Sequence, residues 1–259
     1  MIVIDKLCYN SNLRYVNAGE KFAFAILTLL ACVISRSAAI ACIALAATGI
    51  LTIYKGGIPF SRYLHFMTIP LIFLLFSTVA IVLNLSTTPL DLFAIPLGEF
   101  YLTGSQNALF YAIQLILTAL ASVSCLYFLS FNTPMPDILL VLKKLHCPRI
   151  MIELMLLIYR FIFVLLEISS AITTSQHSRL GNRDYKTSLK SFGALASALF
   201  IRAIKKSGAL YDAMESRCYN GTISVLNENY PPKVKEILAI ALFETALVLF
   251  MIGSRIASF

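Results

Sequence analysis

The sequence predicts an all-α polytopic membrane protein with about five transmembrane helices and an inserted cytoplasmic module of two long, crossed helices. Three observations predict this class: the composition, the lengths of the apolar stretches and the distribution of Lys and Arg. Of the 259 residues, 59% are hydrophobic and 13% are charged, and the mean hydropathy is +0.82. A soluble domain is about 45–50% apolar and about 25% charged. The apolar surplus requires lipid, which excludes an ordinary soluble enzyme.

Five apolar stretches are predicted to cross the bilayer, whose core needs about 20 apolar residues in a helix. The first two, residues 22–34 and 38–54, are separated by Ser35-Arg36-Ser37. Because the break carries a charge, we expect a helical hairpin rather than one long crossing. The other three are residues 67–85, beginning near Pro70, residues 106–131 and residues 237–252.

The basic residues predict the orientation, because Lys and Arg gather in cytoplasmic loops. The net charge of +8 is assigned to such loops and not to nucleic acid binding. The loop 86–105 holds Asp91 and Glu99 but no Lys or Arg, so we expect it outside. Three segments with basic residues are expected inside: they carry Lys6, Arg14 and Lys21, then Lys55 and Arg62, then Lys143, Lys144 and Arg149.

The apolar stretch 151–172 is predicted not to cross the membrane, because a crossing would place ten basic residues between 177 and 236 outside. Glu153, Arg160 and Glu167 recur every seven residues and form one polar stripe on a helix. Residues seven apart lie about 10 Å apart along the axis, so their partners lie on another helix or in water. We expect a long helix at the cytoplasmic face, with a tilted span as the alternative.

A second long helix is predicted from about residue 186 to residue 217, where apolar residues keep helical spacing. Two pairs of small residues, Gly193/Ser197 and Ala194/Ala198, would let helix backbones approach closely, so we expect the helix crossing there. Pro231-Pro232 then breaks the chain. The predicted domains are residues 1–131 with four spans, the cytoplasmic module 132–234, and the last span 235–259.

Two similar short elements end the two long helices. They are Ser178-Arg179-Leu180-Gly181 and Ser216-Arg217-Cys218-Tyr219-Asn220-Gly221. A single Arg in a last helical turn is explained by the helix dipole. Two copies at successive helix ends favour a second role, because a guanidinium can bind carboxylates and carbonyls of a partner in a fixed geometry. We expect the two helix ends to emerge together, so that the two arginines form one bidentate contact with a partner.

The segment Asp212-Ala213-Met214-Glu215-Ser216-Arg217-Cys218-Tyr219-Asn220-Gly221 resembles the second signature of the transmembrane T component of energy-coupling-factor (ECF) transporters, closest to the cobalt-type CbiQ branch. The segments Asp5-Lys6, Asn17-Ala18-Gly19-Glu20-Lys21 and Gly56-Gly57-Ile58-Pro59-Phe60 resemble the same branch, so the likeness spans nearly the whole chain. The paired Ala-Arg-Gly elements of that family map onto Ser178-Arg179-Leu180 and Ser216-Arg217-Cys218. Only the Arg is kept in each.

The resemblance implies a non-catalytic energy-coupling subunit of an importer for cobalt, or for nickel, in the prokaryotic cytoplasmic membrane. The two long helices would be coupling helices that dock on two ATP-binding-cassette ATPase subunits, and these partners would bind ATP and Mg²⁺. The membrane part would hold a substrate-binding S component, with a vitamin-type S component as the alternative. The implied docking residues are Arg179 and Arg217 with their neighbours Ser178, Leu180, Gly181, Ser216, Cys218 and Tyr219.

The residues give fewer signals for other functional classes. The P-loop pattern G-x-x-x-x-G-K-[ST] does not occur. His65, His146 and His177 lie far apart, and no H-x₃-H or C-x₂-C spacing predicts a metal site. A secondary transporter would need charges at mid-membrane depth, where the predicted spans offer Glu244. A secondary transporter and a membrane scaffold without a transport cycle are the alternatives left open.

Overall fold

The computed structural model describes residues 3–35, 37–82, 84–86, 93–97, 100–104, 106–221, 223 and 230–257. Helices build the fold, which confirms the predicted all-α class. In chain order they are α1 Val3–Asn10, α2 Ala18–Ser35, α3 Ala38–Ile50, α4 Phe60–Val82, α5 Gln106–Asn132, α6 Met135–Lys144, α7 Arg149–Ser178, α8 Tyr185–Glu215 and α9 Val234–Ala257. A 3₁₀ turn covers Asn12–Tyr15, and the π-helical turn Leu51–Lys55 continues α3.

The chain divides into two compact units. The membrane unit comprises Ile2–Ile138 and Glu228–Phe259, and the two-helix unit comprises Leu139–Asn227 with α7 and α8. Five helices are long and apolar enough to cross a membrane: Ala18–Ser35, Ala38–Lys55, Phe60–Val79, Ala108–Asn132 and Val234–Gly253. All five belong to the membrane unit, and their number confirms the predicted five spans. Within the described residues, α7 is not among them.

The third span begins earlier than the sequence analysis predicted. We expected its start near Pro70, but α4 starts at Phe60 and contains Pro70 in its interior. Pro70 has no N–H to donate to the carbonyl of Phe66, four residues earlier. The Tyr127 hydroxyl on α5 donates to that carbonyl instead, at 3.3 Å. This side chain, 61 residues away, thus satisfies the Phe66 carbonyl, and α4 continues through Pro70.

A small antiparallel sheet covers part of the predicted external loop 86–105 and the last two residues of the predicted span 67–85. Its strands are β1 Asn84–Ser86, β2 Phe93–Leu97 and β3 Phe100–Gly104, in the order β1-β3-β2. Ile95 pairs with Leu102, and Pro96 pairs with Tyr101. Proline cannot donate to a ladder, and β2 is an edge strand, where proline is tolerated.

Small and polar residues hold the membrane unit together. One buried cluster joins α2, α3, α5 and α9; it comprises Cys32, Ile40, Ala41, Ala44, Ala121 and Leu247. Small side chains let membrane helices approach closely. A hydroxyl node joins three helices, because Ser124 on α5 lies 2.5 Å from the Thr48 hydroxyl and 2.7 Å from the Tyr63 hydroxyl. Hydrogen bonds of this kind supplement packing where lipid supplies no hydrophobic drive between helices.

The N-terminal segment is anchored through a buried lysine. Lys21 is only 3% exposed, and its ammonium donates to the carbonyls of Leu13 at 2.9 Å and Asn132 at 2.8 Å. The Ser11 hydroxyl donates to the Asn132 side-chain oxygen at 2.7 Å. The sequence analysis counted Lys21 among the loop charges that mark the cytoplasmic side. The structure shows that its ammonium is hydrogen-bonded inside the fold, and the cytoplasmic placement of this segment stays a prediction.

Candidate functional site

The first arginine element caps α7 with a left-handed residue. The N–H of Gly181 donates to the Gln176 carbonyl at 2.8 Å, and the N–H of Leu180 donates to the His177 carbonyl at 3.1 Å. This pair of bonds is a Schellman motif, with Leu180 in the left-handed conformation at φ 58°. Arg179 is the C-cap residue.

The second arginine element repeats this geometry at the end of α8. The N–H of Tyr219 donates to the Met214 carbonyl at 3.0 Å, and the N–H of Cys218 donates to the Glu215 carbonyl at 2.9 Å. Cys218 has φ 57°, and Arg217 takes the place that Arg179 holds in the first copy. The two elements therefore match in backbone conformation and hydrogen bonding, which their sequences alone did not establish.

The left-handed residues explain how the caps form without the glycine of the Ala-Arg-Gly pattern. Leu180 and Cys218 occupy the position after each Arg, and both have positive φ. A side-chain-bearing residue in this conformation costs about 1–2 kcal/mol. Each cap makes two backbone hydrogen bonds that satisfy carbonyls at the helix end. The element thus keeps the helix-ending geometry for which glycine is usual.

The serines of the two elements point back onto their own helices. The Ser178 hydroxyl donates to the Thr174 carbonyl at 3.0 Å, and the Ser216 hydroxyl donates to the Asp212 carbonyl at 2.8 Å. Arg179 and Arg217 are both exposed. In the described part of the chain neither guanidinium forms an ion pair. Each helix end therefore presents an exposed arginine with its hydrogen-bonding groups available.

The two arginines lie at opposite ends of α8. Arg179 lies in the turn before α8, and Arg217 follows its last residue, Glu215. A helix of 31 residues is about 45 Å long at 1.5 Å per residue. The expectation that the two ends emerge together was wrong. The reason is the antiparallel hairpin, in which α7 ends where α8 begins while α8 ends near the start of α7.

Ser191 and Gln176 brace the Arg179 end. The Ser191 hydroxyl donates to the Gly181 carbonyl at 2.7 Å, and the Gln176 amide donates to the Ser191 carbonyl at 2.8 Å. A Cβ on Gly181 would lie 2.8 Å from the Gln176 carbonyl oxygen and 2.9 Å from the Ser191 hydroxyl. Glycine is therefore required at this close approach. The sequence offers no signal for this brace, since both polar residues lie within ordinary helical stretches.

Glu153 braces the Arg217 end. One oxygen of its carboxylate accepts from the Tyr219 hydroxyl at 2.8 Å, and the other accepts from the N–H of Ile223 at 3.3 Å. The bond to the Glu153 carboxylate raises the pKa of the Tyr219 phenol above its usual value. The sequence analysis expected the partner of Glu153 on another helix or in water. The structure places it on the segment that follows α8.

Comparison with known proteins decides the family. The cobalt transport protein family CbiQ matches residues 10–228. The chain belongs to the CbiQ family. It is 35% identical over 247 residues to an uncharacterized protein of Methanocaldococcus jannaschii, with 95% of this chain and 91% of that protein covered. It is 27% identical over 226 residues to the cobalt transport protein CbiQ of Salmonella typhimurium, with 85% and 98% covered.

A fused relative extends this comparison. The putative fused cobalt transport protein CbiMQ of Methanocorpusculum labreanum is 33% identical over 248 residues, which cover 93% of this chain but 40% of the relative. The predicted resemblance to the CbiQ branch is confirmed. As a member of a cobalt transport family with five apolar helices, the protein is a multi-pass membrane transport protein.

The small residues predicted at the helix crossing lie on an open face of this CbiQ-family chain. Gly193, Ala194 and Ser197 are exposed, and Ala198 is half-buried. A Cβ placed on Gly193 would meet no atom within 4 Å. Their role in a crossing stays a prediction.

The acidic residue predicted within the CbiQ spans has a partner inside the membrane unit. Glu244 on α9 accepts a hydrogen bond from the Thr28 hydroxyl on α2 at 2.7 Å. From the sequence, two alternatives were open for Glu244: a pair with an Arg of the cytoplasmic part, or a place near the interface. The bond joins two spans, which is a structural role for a half-buried carboxyl. Among the described residues, no group of three or more His, Cys, Asp or Glu side chains could hold a metal ion.

Proposed function

We propose that this chain is the energy-coupling membrane subunit of an ECF-type importer for cobalt ions. It transmits ATP-driven motion from two cytoplasmic ATP-binding-cassette ATPase subunits to a membrane-embedded S component that binds the substrate. The observation that carries this proposal is the matched pair of caps that end α7 and α8, each with an exposed arginine at its tip.

The caps suit docking because each holds its arginine in a defined place. A rigid backbone end loses little conformational freedom on binding, and the guanidinium offers five N–H donors in a planar fork. A groove lined by carboxylates or backbone carbonyls is the complementary surface. The arginines therefore contact the ATPases, while Ser178 and Ser216 keep their hydroxyls within their own helices.

The separation of the tips supports two partners. Tips about 45 Å apart, by the length of α8, are too distant to enter one small groove together. Two ATPase subunits, each receiving one arginine, match this spacing. The neighbours that contact the same grooves are then Leu180 and Gly181 at one tip, and Cys218 and Tyr219 at the other.

The energy source and the substrate component are assigned to partners. The sequence has no P-loop, so nucleotide hydrolysis belongs to the ATPases. The fused relative is much longer than this chain, which covers 40% of it. A cobalt transport protein that joins a CbiQ part to further sequence supports a second component working beside the membrane unit.

Copurification tests the docking residues. Arg179→Ala, Arg217→Ala and the double variant are expressed with tagged ATPase subunits, and retention of the chain is measured in mild detergent. Each single variant is expected to weaken retention, because truncating a buried charge-assisted contact costs about 2–5 kcal/mol. The double variant should lose the complex and cobalt uptake. Arg202→Ala, an exposed arginine in the middle of α8, is the matched control. Normal association and uptake in the double variant contradict the proposal.

Uptake measurements in cells test the transport class and the ion. Cobalt uptake is expected to require the S component and hydrolytically active ATPases. Uptake that persists with an inactive ATPase would instead indicate a secondary transporter. Competition between cobalt and nickel identifies the ion, and a preference for nickel would reassign the substrate.

A further inference from the structure

We propose that Glu153 is a positioning residue for the Arg217 tip, acting through Tyr219. The inference rests on the proposed docking function, which it deepens by naming what holds one docking arginine in place. Nothing in the sequence pairs these residues, since Glu153 and Tyr219 lie 66 positions apart.

The carboxylate of Glu153 uses both oxygens on the segment that follows the tip. One accepts from the Tyr219 hydroxyl at 2.8 Å and the other from the Ile223 backbone N–H at 3.3 Å. Two bonds to two points of one segment restrain its rotation as well as its position. Bonds to an ionised acceptor are also stronger than those between neutral groups.

Tyr219 links this carboxylate to the cap itself. Its backbone N–H makes the outer bond of the cap, to the Met214 carbonyl at 3.0 Å, while its hydroxyl reaches Glu153. Arg217 lies two residues before Tyr219, within the cap. A displacement of Tyr219 therefore shifts the backbone that carries the guanidinium. The backbone cap sets the conformation of the tip, and Glu153 sets the direction in which the tip points.

The Arg179 end is held in another way. Its brace comes from Ser191, which donates to the Gly181 carbonyl in the α7–α8 turn, and from Gln176, which donates to the Ser191 carbonyl on α8. Within the described part of the chain, the hydrogen bonds of Glu153 go to Tyr219 and Ile223, and Glu153 lies near the opposite end of α7. Loss of the Glu153 carboxylate should therefore affect docking through Arg217 and leave docking through Arg179 unchanged.

The test measures the affinity of the full-length chain, in nanodiscs, for the purified ATPase pair. Glu153→Gln keeps one acceptor oxygen but places an NH₂ group where the second oxygen accepted. We expect it to weaken binding about three- to tenfold. Tyr219→Phe, which removes the hydroxyl alone, should do the same. Glu167→Gln is the matched control, since it removes the same charge from the same stripe at an exposed position, and it should leave affinity unchanged.

Two backgrounds separate positioning from general destabilisation. In an Arg217→Ala background, Glu153→Gln should cause no further loss, because the contact that it positions is gone. In an Arg179→Ala background it should cause its full loss. An equal loss in both backgrounds would indicate a merely structural role and overturn the inference.

The failure of this inference is distinguishable from the failure of the proposed function. If Arg217→Ala itself leaves the affinity for the ATPases unchanged, the docking function is wrong, and the positioning role falls with it. If Arg217→Ala weakens binding while Glu153→Gln behaves like Glu167→Gln, the docking function stands and only the positioning role of Glu153 is overturned.

Discussion

The membrane unit and the two-helix unit are held in their conformations by contacts in different places. In the membrane unit, Lys21, Asn132, Thr48 and Ser124 are all buried, and each makes a hydrogen bond inside the fold. In the two-helix unit, α8 has no buried residue among those described, and α7 buries only Ile152. The hydrogen bonds that brace this unit lie at the two ends of the α7–α8 hairpin. The membrane unit is therefore specified by its interior, and the two-helix unit by its ends.

This difference matches different tasks. Bulky apolar side chains remain exposed along the two-helix unit, among them Leu154 and Ile158 on α7 and Phe192 and Phe200 on α8. Extended exposed apolar faces are typical of surfaces that meet a partner or lipid. Under the proposed function, the two-helix unit needs well-defined ends for docking, whereas the membrane unit needs a well-defined interior in lipid.

The largest effect is expected in the interior of the membrane unit, for Lys21→Met. The substitution leaves the carbonyls of Leu13 and Asn132 without their donor, at a cost of about 2–5 kcal/mol. The midpoint of thermal unfolding in detergent should fall sharply. Lys6→Met, at an exposed position of α1, is the control and should leave it nearly unchanged. Similar midpoints for the two variants would remove the contrast between interior and surface.

A smaller effect is expected at the hairpin turn, where two glycines form a matched pair. Gly181→Ala forces the Gln176 carbonyl and Ser191 apart and should cost about 1–3 kcal/mol. Gly193→Ala enters open space in α8 and should stabilise the helix by about 0.5–1 kcal/mol. Hydrogen exchange over α7 and α8 measures both. If Gly193→Ala instead disrupts the assembled complex, residue 193 contacts a partner, and the expected gain in stability is overturned.

A gain in stability is expected from restoring glycine to the caps. Leu180→Gly and Cys218→Gly relieve the left-handed conformation of exposed residues, and each should stabilise its helix end by about 1 kcal/mol. Ala196→Gly in the middle of α8 should destabilise by about the same amount. Hydrogen exchange of the last helical turns measures the gain at the caps, and hydrogen exchange in the middle of α8 measures the loss from Ala196→Gly. A loss at the caps would mean that these side chains make contacts that outweigh the strain.

The smallest change concerns the chemistry of two thiols. Burial raises the pKa of Cys8 to about 12, so its reactive thiolate is scarce at pH 8, and labelling should increase only as the pH approaches that value. Cys218 is exposed at the second tip. Single-cysteine variants treated with an impermeant maleimide should show rapid labelling of Cys218 from the cytoplasmic side and none of Cys8. Labelling of Cys218 from the outer side would overturn the predicted orientation.

Much of the helical architecture was predictable because its signals are local. Apolar length predicted the five spans, and the ten basic residues between 177 and 236 predicted that the apolar stretch 151–172 does not cross the membrane, which the stripe of Glu153, Arg160 and Glu167 supported. The start of α4 was not predictable, because a distant hydroxyl on Tyr127 makes Pro70 acceptable within the helix. The burial of Lys21 was not predictable for the same reason, since one of its partners, Asn132, lies 111 residues away.

The candidate site likewise has features that the sequence predicted and features that only the tertiary structure shows. The sequence by itself determined which residues end the two long helices and that both ends carry an arginine, since these features depend on neighbouring residues. Only the tertiary structure decided that the arginines stand at opposite ends of α8, that Leu180 and Cys218 adopt the left-handed conformation, and that Glu153 holds Tyr219. The physical reason is range: a helix and its cap are closed by bonds over five residues, whereas a brace joins groups that only folding brings together.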